Sequence, residues 1–492
     1  YKSVWERDSQ RHSNDWNSVL SLIAEKYYGN PYNTHHRKTF FNGNAALLGY
    51  SGFGPLLLGY TKWLIETAIV DKVEDLYFLS RDGKVMKSAY DIISSFYKDA
   101  PRSHYLLCSR RAVNVAKIDS LEGIYDLLEV DFQKTKLGIL LDHRFGLKSS
   151  MINEEILSSH GLTLDSTVSH SDQLLLKELM KDLSTLIFNN SFEERELYNR
   201  YLELSGFNSN RVKAIVDIGY AGTMQESLAK LTGQNNIGGY YLMTFRQART
   251  RLKENGLGSS AYLAEFVDRH DTFHPFCRHV PLYETLFSAS DTSFIKFTSS
   301  ITGDLEAIYM QKLEGESKRV VLINSIQNSA LDFIDEFTRI FKYKLKDIDI
   351  ESNKSLRTLQ KYFHQPSYRD AAILCGIVFE DAYGSGGGKV ILPMENQIDK
   401  VNGVWLQGQN VIKDYINAVN KNKVIKNNLS LTEFPLNKTN RGIARLKSIE
   451  NKVLKKTAGD KKYNKYLKDR ESFFRDSQKP LADFYWKIFG SK

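Results

Sequence analysis

Acidic and basic side chains gather in short loops that follow apolar, strand-like runs. The first such loop is Ser80-Arg81-Asp82-Gly83-Lys84. It precedes a run with apolar residues at helical spacing, and the beginning of a helix favours an anion through its N–H groups and dipole. Arg81 and Lys84 suit phosphate oxygens, while Asp82 suits a sugar hydroxyl, a proton or Mg²⁺. A solvated strand–helix turn accounts for these residues equally well.

A second loop places a carboxylate, two glycines and a threonine after another apolar run. It reads Asp217-Ile218-Gly219-Tyr220-Ala221-Gly222-Thr223-Met224-Gln225. The glycines permit close backbone approach to a phosphate, Thr223 is placed to cap the next helix, and Asp217 suits a ribose diol. The order is similar to that of phosphoribosyltransferases that use 5-phosphoribosyl-1-diphosphate (PRPP), although those have two adjacent acids and position 218 is isoleucine. A tight turn whose glycines satisfy only backbone geometry is the alternative.

Further charged residues flank the remaining apolar runs. Arg110 and Arg111 follow the strand-like run 104–108, and in a parallel sheet they would reach the edge where the first loop lies. Paired arginines there suit a diphosphate, although a surface pair bridging acidic neighbours fits the sequence as well. Glu284, inside the apolar run 282–287, is either a helix-surface charge or a buried functional carboxylate.

Metal and disulfide chemistry are less favoured. Four potential ligands lie close together in sequence, namely His270, His274, Cys277 and His279. Their spacing matches no standard zinc pattern, and Pro275 interrupts the helix that would align them. The chain has 3 cysteines, too few for a disulfide framework, which indicates a reducing compartment.

Two phosphate-handling motifs are excluded. A phosphatase of the haloacid-dehalogenase kind needs a second aspartate two residues after the nucleophile, and the residue two positions after Asp217 is glycine. The glycine-rich run 384–388 is followed by Lys389 and Val390 and lacks the Gly-Lys-Ser/Thr ending of a P-loop. We interpret this run as a mobile linker or a lid on the acceptor side.

The elements that must position these loops follow from apolar periodicity. Strand, helix and strand alternate over 76–108 and 212–245, which predicts two βαβ units. The expected fold is α/β, with a Rossmann-like or phosphoribosyltransferase-like, mostly parallel sheet, a glycine-rich loop at 49–55, and helices again beyond Pro281. The predicted regions are an N-terminal helical segment 1–44, an α/β core 45–300 with a helical insertion at about 120–206, a helical acceptor-side region 301–410, and a basic helical tail 411–492.

Charge is distributed unevenly along the chain. The net charge is +9, and residues 411–492 carry 20 Lys and Arg against 8 Asp and Glu, so the rest of the chain is nearly neutral. The aromatic, amphipathic end 481–489 either lies on an anionic membrane surface or packs on the body with its lysines in solvent. We find no nucleic-acid-binding motif, and a high pI alone does not indicate one.

The sequence favours a cytoplasmic protein. The first residues contain no apolar signal core, and the absence of an initial Met indicates that something upstream was removed. The most apolar window, 45–70, carries glycines, a proline, Lys62 and Glu66, so a buried segment is expected rather than a membrane span.

Together these segments resemble the glycan phosphoribosyltransferase domain of dual-domain bacterial ribofuranosyltransferases. That family acts in O-antigen and polysaccharide biosynthesis and is often labelled as predicted haloacid-dehalogenase hydrolases. The resemblance covers roughly residues 45 to 410 and is carried by 78–83, 109–111, 216–225, 239–241, 284–288 and 405–408. It implies transfer of 5-phosphoribose from PRPP to a lipid-linked glycan acceptor, with Mg²⁺, release of diphosphate and inversion at C1. It also implies a phosphatase domain, upstream or separate, that removes the 5-phosphate. The basic tail 411–492 adds the alternative that this cytoplasmic protein lies at the inner face of the cell membrane.

The chemistry of the residues, with which the resemblance agrees, predicts individual roles. The expected catalytic carboxylates are Asp82, Asp217 and Glu284, with Asp82 as first candidate for the base and as a Mg²⁺ contact through the diphosphate. The expected PRPP-binding residues are Ser80, Arg81, Gly83, Lys84, Arg110, Arg111, Gly219, Tyr220, Ala221, Gly222, Thr223 and Gln225. Two alternatives remain open, a glycosyltransferase that uses a sugar nucleotide and a non-catalytic subunit that binds glycan or lipid.

Overall fold

A parallel β-sheet positions the loops that carry the charged motifs. The computed structural model describes residues 14–30, 35–36, 38–130, 132, 134–271, 273–312, 316–381 and 387–427. The chain divides into two compact units, 1–418 and 419–492, and the first contains the sheet. Most of the predicted basic tail, from residue 428 on, lies outside the described residues, as does part of the glycine-rich run 384–388.

Strands and helices alternate through the first half of the chain. The strands are β1 (Asp75–Leu79), β2 (Arg102–Leu106), β3 (Thr135–Lys136), β4 (Thr167–Val168), β5 (Lys213–Asp217), β6 (Ile237–Phe245), β7 (Ser259–Val267), β8 (Phe294–Ser299), β9 (Leu305–Tyr309), β10 (Ile377–Asp381) and β11 (Gly387–Leu392). The helices before β6 are α1 (Asn14–Tyr28), α2 (Ala45–Leu48), α3 (Gly54–Val70), α4 (Gly83–Ser94), α5 (Arg110–Ala116), α6 (Leu121–Glu129), α7 (Leu137–Phe145), α8 (Glu154–Ser159), α9 (Gln173–Asp182), α10 (Ser184–Leu204) and α11 (Thr223–Thr232). The later helices are α12 (Arg246–Glu254), α13 (Val280–Phe287), α14 (Glu316–Phe341), α15 (Ser352–His364), α16 (Tyr368–Ala371) and α17 (Leu406–Asn427).

The central sheet is entirely parallel and has the order β2-β1-β5-β6-β7. This confirms the predicted α/β class and is compatible with a Rossmann-like fold. The chain leaves β1 toward β2 on one side and returns to β5 on the other, so the strand order reverses between β1 and β5. Open α/β sheets bind ligands in the crevice outside such a switch point. Phe78 pairs in register with Val216, so the loops after β1 and β5 emerge side by side.

Alternate residues of the central strands face two separate hydrophobic layers. Phe78 and Val216 pack with α3, α4 and α14 on one face. Tyr77 and Ile215 pack with α10 and α11 on the other face. Because both faces are covered, these strands read as nearly continuous apolar runs. Each fully buried side chain of this size contributes roughly 1.5–3 kcal/mol, which fixes the strand ends that carry the loops.

The glycine-rich run 49–55 is helical, contrary to the prediction of a loop. It forms a π-helical turn, Gly49–Phe53, between α2 and α3. A Cβ on Gly49 would lie 2.1 Å from the carbonyl oxygen of Ile326. The glycine therefore allows close approach of α14, and a spacing of small residues that resembles a loop in the sequence is a helix-packing surface here.

The chain beyond Pro281 is not purely helical, contrary to the prediction. Two antiparallel hairpins, β8–β9 and β10–β11, stand apart from the central sheet. The turn at Gly303, with φ 84°, connects the two strands of the first hairpin. The insertion 120–206 is mostly helical, as predicted, with one short pairing of β3 and β4. Within the described part of the chain, no helix combines the length and apolarity needed to cross a membrane.

Candidate functional site

The charged loops meet in one place, which we call the switch-point crevice. It comprises residues 80–84, Arg110, 217–223 and 284–293. The loop after β1 leads into α4 and the loop after β5 leads into α11, so two helices of 12 and 10 residues begin at this edge of the sheet. The positive ends of their dipoles therefore face the crevice.

Two aspartates from neighbouring strand ends dominate the electrostatics of the crevice. Burial raises the pKa of Asp217 to about 7, and the nearby charge of Asp82 adds to this shift. Burial also raises the pKa of Asp82, against the opposing effect of Arg81, Arg110 and Arg319. Because two close carboxylates resist ionising together, the pair holds a proton to higher pH than isolated aspartates do.

The backbone of the first loop is held in an unusual conformation at Arg81. Its φ is 75°, in the left-handed region, which costs a non-glycine residue roughly 1 kcal/mol. The N–H of Arg81 donates to the phenol oxygen of Tyr105 at 3.0 Å, and Nη1 donates to Oγ of Ser293 at 2.8 Å. Such strain concentrates at functional sites, and here it directs the guanidinium toward the 288–293 segment.

Residues 288–293, after α13, form a wall of the crevice that the sequence analysis missed. Nζ of Lys84 lies 2.8 Å from Oδ2 of Asp291, and Ser293 accepts the bond from Arg81. Both Lys84 and Asp291 remain about half exposed, so the cation stays accessible. The missed signal was a run of small and hydroxyl residues, Ser-Ala-Ser-Asp-Thr-Ser, directly after an apolar helix.

The two arginines of α5 have different environments. Arg110 faces the crevice, where its charge favours the ionised forms of Asp82 and Asp217. The guanidinium of Arg111 instead makes a two-point, buried ion pair with Glu194 of α10. Consecutive residues on a helix point in different directions, so Arg110 acts on the crevice, whereas Arg111 joins two helices.

Steric contact explains the glycines of the loop after β5. Gly219 has φ 138°, and a Cβ there would lie 2.3 Å from the carbonyl oxygen of Met243. Gly222 has φ 68°, and a Cβ there would lie 2.9 Å from the side chain of Leu252. A Cβ on Gly83 would lie 2.9 Å from the carbonyl carbon of Phe78 in β1. These glycines therefore meet a steric requirement of the fold, which is compatible with close approach of a ligand.

No side chain caps the beginning of helix α11. Thr223 was expected to cap the helix, but the N-cap is Gly222, which has no side chain to do so. The carbonyl of Ala221 accepts a bond of 2.7 Å from Nη1 of Arg251, and that arginine is also paired with Glu226. Arg251 thus fixes the loop from outside the crevice.

Two of the predicted PRPP-binding residues, Ser80 and Gln225, instead connect elements of the fold to one another. Oγ of Ser80 donates to the carbonyl of Cys108 at 2.7 Å and accepts from its N–H at 3.0 Å. Nε2 of Gln225, which is fully buried, donates to the carbonyls of Ile237 and Gly258. Ser80 therefore ties β1 to the end of β2, and Gln225 ties α11 to the beginnings of β6 and β7.

Glu284 and Tyr220 complete the inner part of the crevice. Glu284 is half-buried on α13, and its charge, with those of Asp82 and Asp217, adds to the effect of burial in raising the pKa of Tyr220 well above its ordinary value. The ring of Tyr220 stacks on Phe245, with centroids 4.7 Å apart. All three predicted catalytic carboxylates are therefore near enough to act electrostatically on the same phenol.

Arg319 on α14 is a further residue that the sequence analysis missed. It is 2% exposed, and its Nη2 lies 2.6 Å from Oε1 of the buried Glu316. Its Nη1 donates to Oγ of Ser288 and to the carbonyl of Ala289. This network fixes the end of α13 while its charge acts on Asp82. The sequence signal for a buried ion pair was the position of Glu316 and Arg319, three residues apart on the same face of α14 as its apolar residues.

A cavity of about 480 Å³ lies apart from the crevice, between α3, β7 and the segment before α15. Its walls include Lys62, Trp63, Glu66 and Tyr262. Lys62 is paired with Glu66, and the other charged residues of the lining, Asp349 and Glu351, are acidic, so the lining contains no arginine that could hold a phosphate. The crevice is the better candidate site.

Neither a metal cluster nor a relative identifies the site. Within the described ranges, no group of three or more His, Cys, Asp and Glu residues could hold a metal ion. No family model matches this chain, and a search of the curated proteins finds no match. The function must therefore be inferred from the chemistry of the crevice and from the sequence resemblance.

Proposed function

We propose that this chain is a phosphoribosyltransferase-type glycosyltransferase that moves a 5-phosphoribofuranosyl group from PRPP to a hydroxyl of a polysaccharide acceptor. The observation that carries the proposal is the meeting of Asp82 and Asp217 with Arg81 and Arg110 at the switch point of a parallel sheet. Such a crevice combines carboxylates for hydroxyl groups with cations for phosphates. The resemblance described above supports the same activity.

The proposed donor lies across the carboxyl ends of β1 and β5. Arg81, Lys84 and Arg110 would hold the diphosphate. The 5-phosphate would sit at the beginning of α11, where no side chain caps the helix, and Asp217 would accept hydrogen bonds from the ribose hydroxyls. Arg111 is left out of this assignment because Glu194 already neutralises it.

Transfer requires one bond to break and one to form at C1. The bond from C1 to the diphosphate oxygen breaks, and the arginines receive the leaving anion. A nearby carboxylate stabilises the oxocarbenium character of C1, and the acceptor oxygen bonds to C1 from the opposite side, which inverts the configuration. The acceptor proton passes to a carboxylate, for which Asp82 is the first candidate and Glu284 the second.

Mg²⁺ fits this site as a companion of the donor. Mg²⁺ in phosphate-binding sites is commonly held by one or two carboxylates together with substrate phosphates, and Asp82 is placed to be such a carboxylate. When bound, the ion neutralises charge on the diphosphate. No larger set of protein ligands is needed for this role.

The proposal extends to partners and location. The product would keep its 5-phosphate, so a phosphatase domain, fused upstream or separate, would have to remove it. A lipid-linked acceptor would place the reaction at the inner face of the cell membrane.

Calorimetry with PRPP tests the donor site. We expect Mg²⁺-dependent binding by the wild type and at least about tenfold weaker binding by Arg110→Ala, since charge-assisted bonds contribute about 1.5–3 kcal/mol. Arg339→Ala is the matched control, because this exposed arginine lies about 30 Å along α14 from Arg319. Binding of a nucleotide sugar but not PRPP would favour the sugar-nucleotide alternative, and binding of neither would favour a non-catalytic subunit.

A further inference from the structure

The cavity of about 480 Å³ between α3, β7 and the segment before α15, which we call the α3 cavity, has an aromatic wall. Trp63 and Tyr262 line it, with ring centroids 5.8 Å apart and ring planes inclined at 46°. Both residues are partly exposed, so some of their surface is open to a ligand. Small-molecule sites are concave, measure about 300–1,000 Å³, and combine aromatic walls with a few polar groups.

The aromatic wall is held in place by its neighbours. The phenol of Tyr262 donates to the carbonyl of Ile350 at 3.1 Å and lies 3.0 Å from Oγ of Ser355. The ring of Trp63 meets the ring of Tyr240 edge to face, with centroids 6.1 Å apart. A wall that is already fixed loses little conformational freedom when a ligand binds to it.

Lysines neutralise most of the acidic groups around the α3 cavity. Lys62, which is 4% exposed, pairs with Glu66, and Lys354 pairs with Glu351. The third carboxylate of the lining belongs to Asp349, which is exposed. A cationic ligand therefore meets a lining in which two of three carboxylates are already paired. Hydroxyl groups can still bond to these carboxylates, because the two oxygens of each offer about four acceptor positions.

A neutral sugar ring satisfies both features of the lining. Its apolar C–H face packs on an aromatic side chain, and its hydroxyl groups donate to carboxylates. The hydroxyl groups of Thr67 and Ser352, which also line the cavity, can both donate to and accept from a sugar. A phosphate fits less well, because the lining contains carboxylates and no arginine.

We propose that the α3 cavity binds a neutral sugar ring of a glycan, at a site separate from the switch-point crevice. None of its lining residues belongs to the crevice. Sugar binding there is therefore a function in addition to the proposed transfer, and it does not depend on PRPP.

Titration of the full chain with neutral tetrasaccharides of glucose, galactose or mannose, followed by saturation-transfer NMR, tests this site. We expect at least one of them to bind the wild type. Trp63→Leu should weaken that binding at least about tenfold and Asp349→Ala about fivefold, since each removes one kind of sugar contact. Asp347→Ala is the matched control, because this exposed aspartate is near in sequence but does not line the cavity.

The outcomes separate this site from the crevice. Absence of binding by all three sugars, unchanged binding in either folded variant, or equal weakening in Asp347→Ala would overturn the site. If Trp63→Leu does not fold, Asp349→Ala decides, because its side chain is exposed. Tighter binding of tetramethylammonium than of any sugar would assign the cavity to a cation instead. PRPP with Mg²⁺ should not displace the sugar; displacement would place the sugar in the crevice and leave the proposed transfer standing.

Discussion

At the scale of single residues, the crevice is built around two carboxylates that cannot comfortably ionise together. Asp82 follows β1 and Asp217 ends the adjacent strand β5, and both are partly buried. Three arginines oppose the effect of burial on Asp82, whereas Asp217 has the weaker compensation of Arg110 and the N–H of Ile218. Burial therefore raises the pKa of both carboxyl groups, to about 7 for Asp217.

Replacing Asp217 by Asn should stabilise the protein at pH 8 and change little near pH 4. Folding raises the pKa of Asp217 from 3.8 to about 7. Its contribution to stability is therefore complete below pH 3.8 and is lost as the pH rises through 7. Asparagine carries no such loss, so the gain at pH 8 reaches at most about 4 kcal/mol, at about 1.4 kcal/mol per pKa unit.

Thermal unfolding of both proteins from pH 4 to pH 8 measures this difference. Asp165→Asn is the control, because Lys136 lowers the pKa of that exposed aspartate. A gap between wild type and Asp217→Asn that does not widen with pH would show that Asp217 is ionised without cost.

Much of the crevice could be predicted from residue types in loops. Asp82, Asp217, Arg110 and Glu284 do meet, because their loops follow parallel strands or approach the same edge. Arg111 could not be assigned from sequence, since its partner Glu194 lies 83 positions away on a helix whose packing only the tertiary structure shows.

At the scale of elements, α11 has a glycine at each end with nearly the same backbone conformation. Gly222 has φ 68° and Gly233 has φ 66°. A Cβ on Gly222 would meet Leu252, whereas one on Gly233 would meet nothing within 4 Å. The two positions therefore separate backbone strain from steric contact.

Gly222→Ala should destabilise the protein by about 1–3 kcal/mol more than Gly233→Ala. Both substitutions carry the cost of a left-handed alanine, roughly 1 kcal/mol, but only the first adds overpacking against Leu252. Urea unfolding of the two variants measures the difference. Equal destabilisation would mean that the loop after β5 relaxes easily and does not hold the crevice rigidly.

Helix α14 contributes the buried pair Glu316 and Arg319. Arg319→Met should destabilise the protein by about 3–5 kcal/mol, because it removes the buried cation that pairs with Glu316. The double variant Glu316→Leu/Arg319→Met should recover most of that loss, as apolar replacements of buried ion pairs often do. Denaturant unfolding measures both.

The double variant Glu316→Leu/Arg319→Met also tests the effect of Arg319 on the pKa of Asp82. Loss of the Arg319 charge should raise the pKa of Asp82 and shift the acidic limb of the transfer rate to higher pH. An unshifted profile in a stable double variant would show that Arg319 serves only the fold.

The elements themselves were partly predictable. Both βαβ units and the helical insertion follow from periodicity, because the central strands are buried on both faces and the helices on one. The π-helical turn at Gly49–Phe53 was missed because glycines signal loops in sequence, whereas here they admit α14. The hairpins β8–β9 and β10–β11 were missed because they are short and stand apart from the central sheet.

At the scale of the whole molecule, cations are of two kinds. A few lie at strand ends in the crevice, while residues 411–492 hold 20 of the 67 Lys and Arg. The first kind suits a phosphorylated donor. The second kind suits attraction to an anionic surface, since each basic residue near such a membrane contributes about 1 kcal/mol.

The full chain should therefore float with vesicles that contain anionic lipid and not with neutral vesicles. A chain that lacks residues 440–492 should float less, and 0.5 M salt should weaken the binding of the full chain by screening. Flotation in a density gradient measures both effects. Equal flotation of the two chains would assign the basic tail to the surface of the body instead.

The most direct test of the central claim is turnover with PRPP. We expect the full chain with Mg²⁺, PRPP and a polysaccharide acceptor to release diphosphate and to leave a phosphate monoester on the acceptor, both visible by ³¹P NMR. Asp82→Ala and Asp217→Ala should each reduce the rate by at least about 10²-fold with little change in secondary structure. Near-normal turnover in both variants, or release of a nucleoside diphosphate from a nucleotide sugar with none of diphosphate from PRPP, would contradict the account.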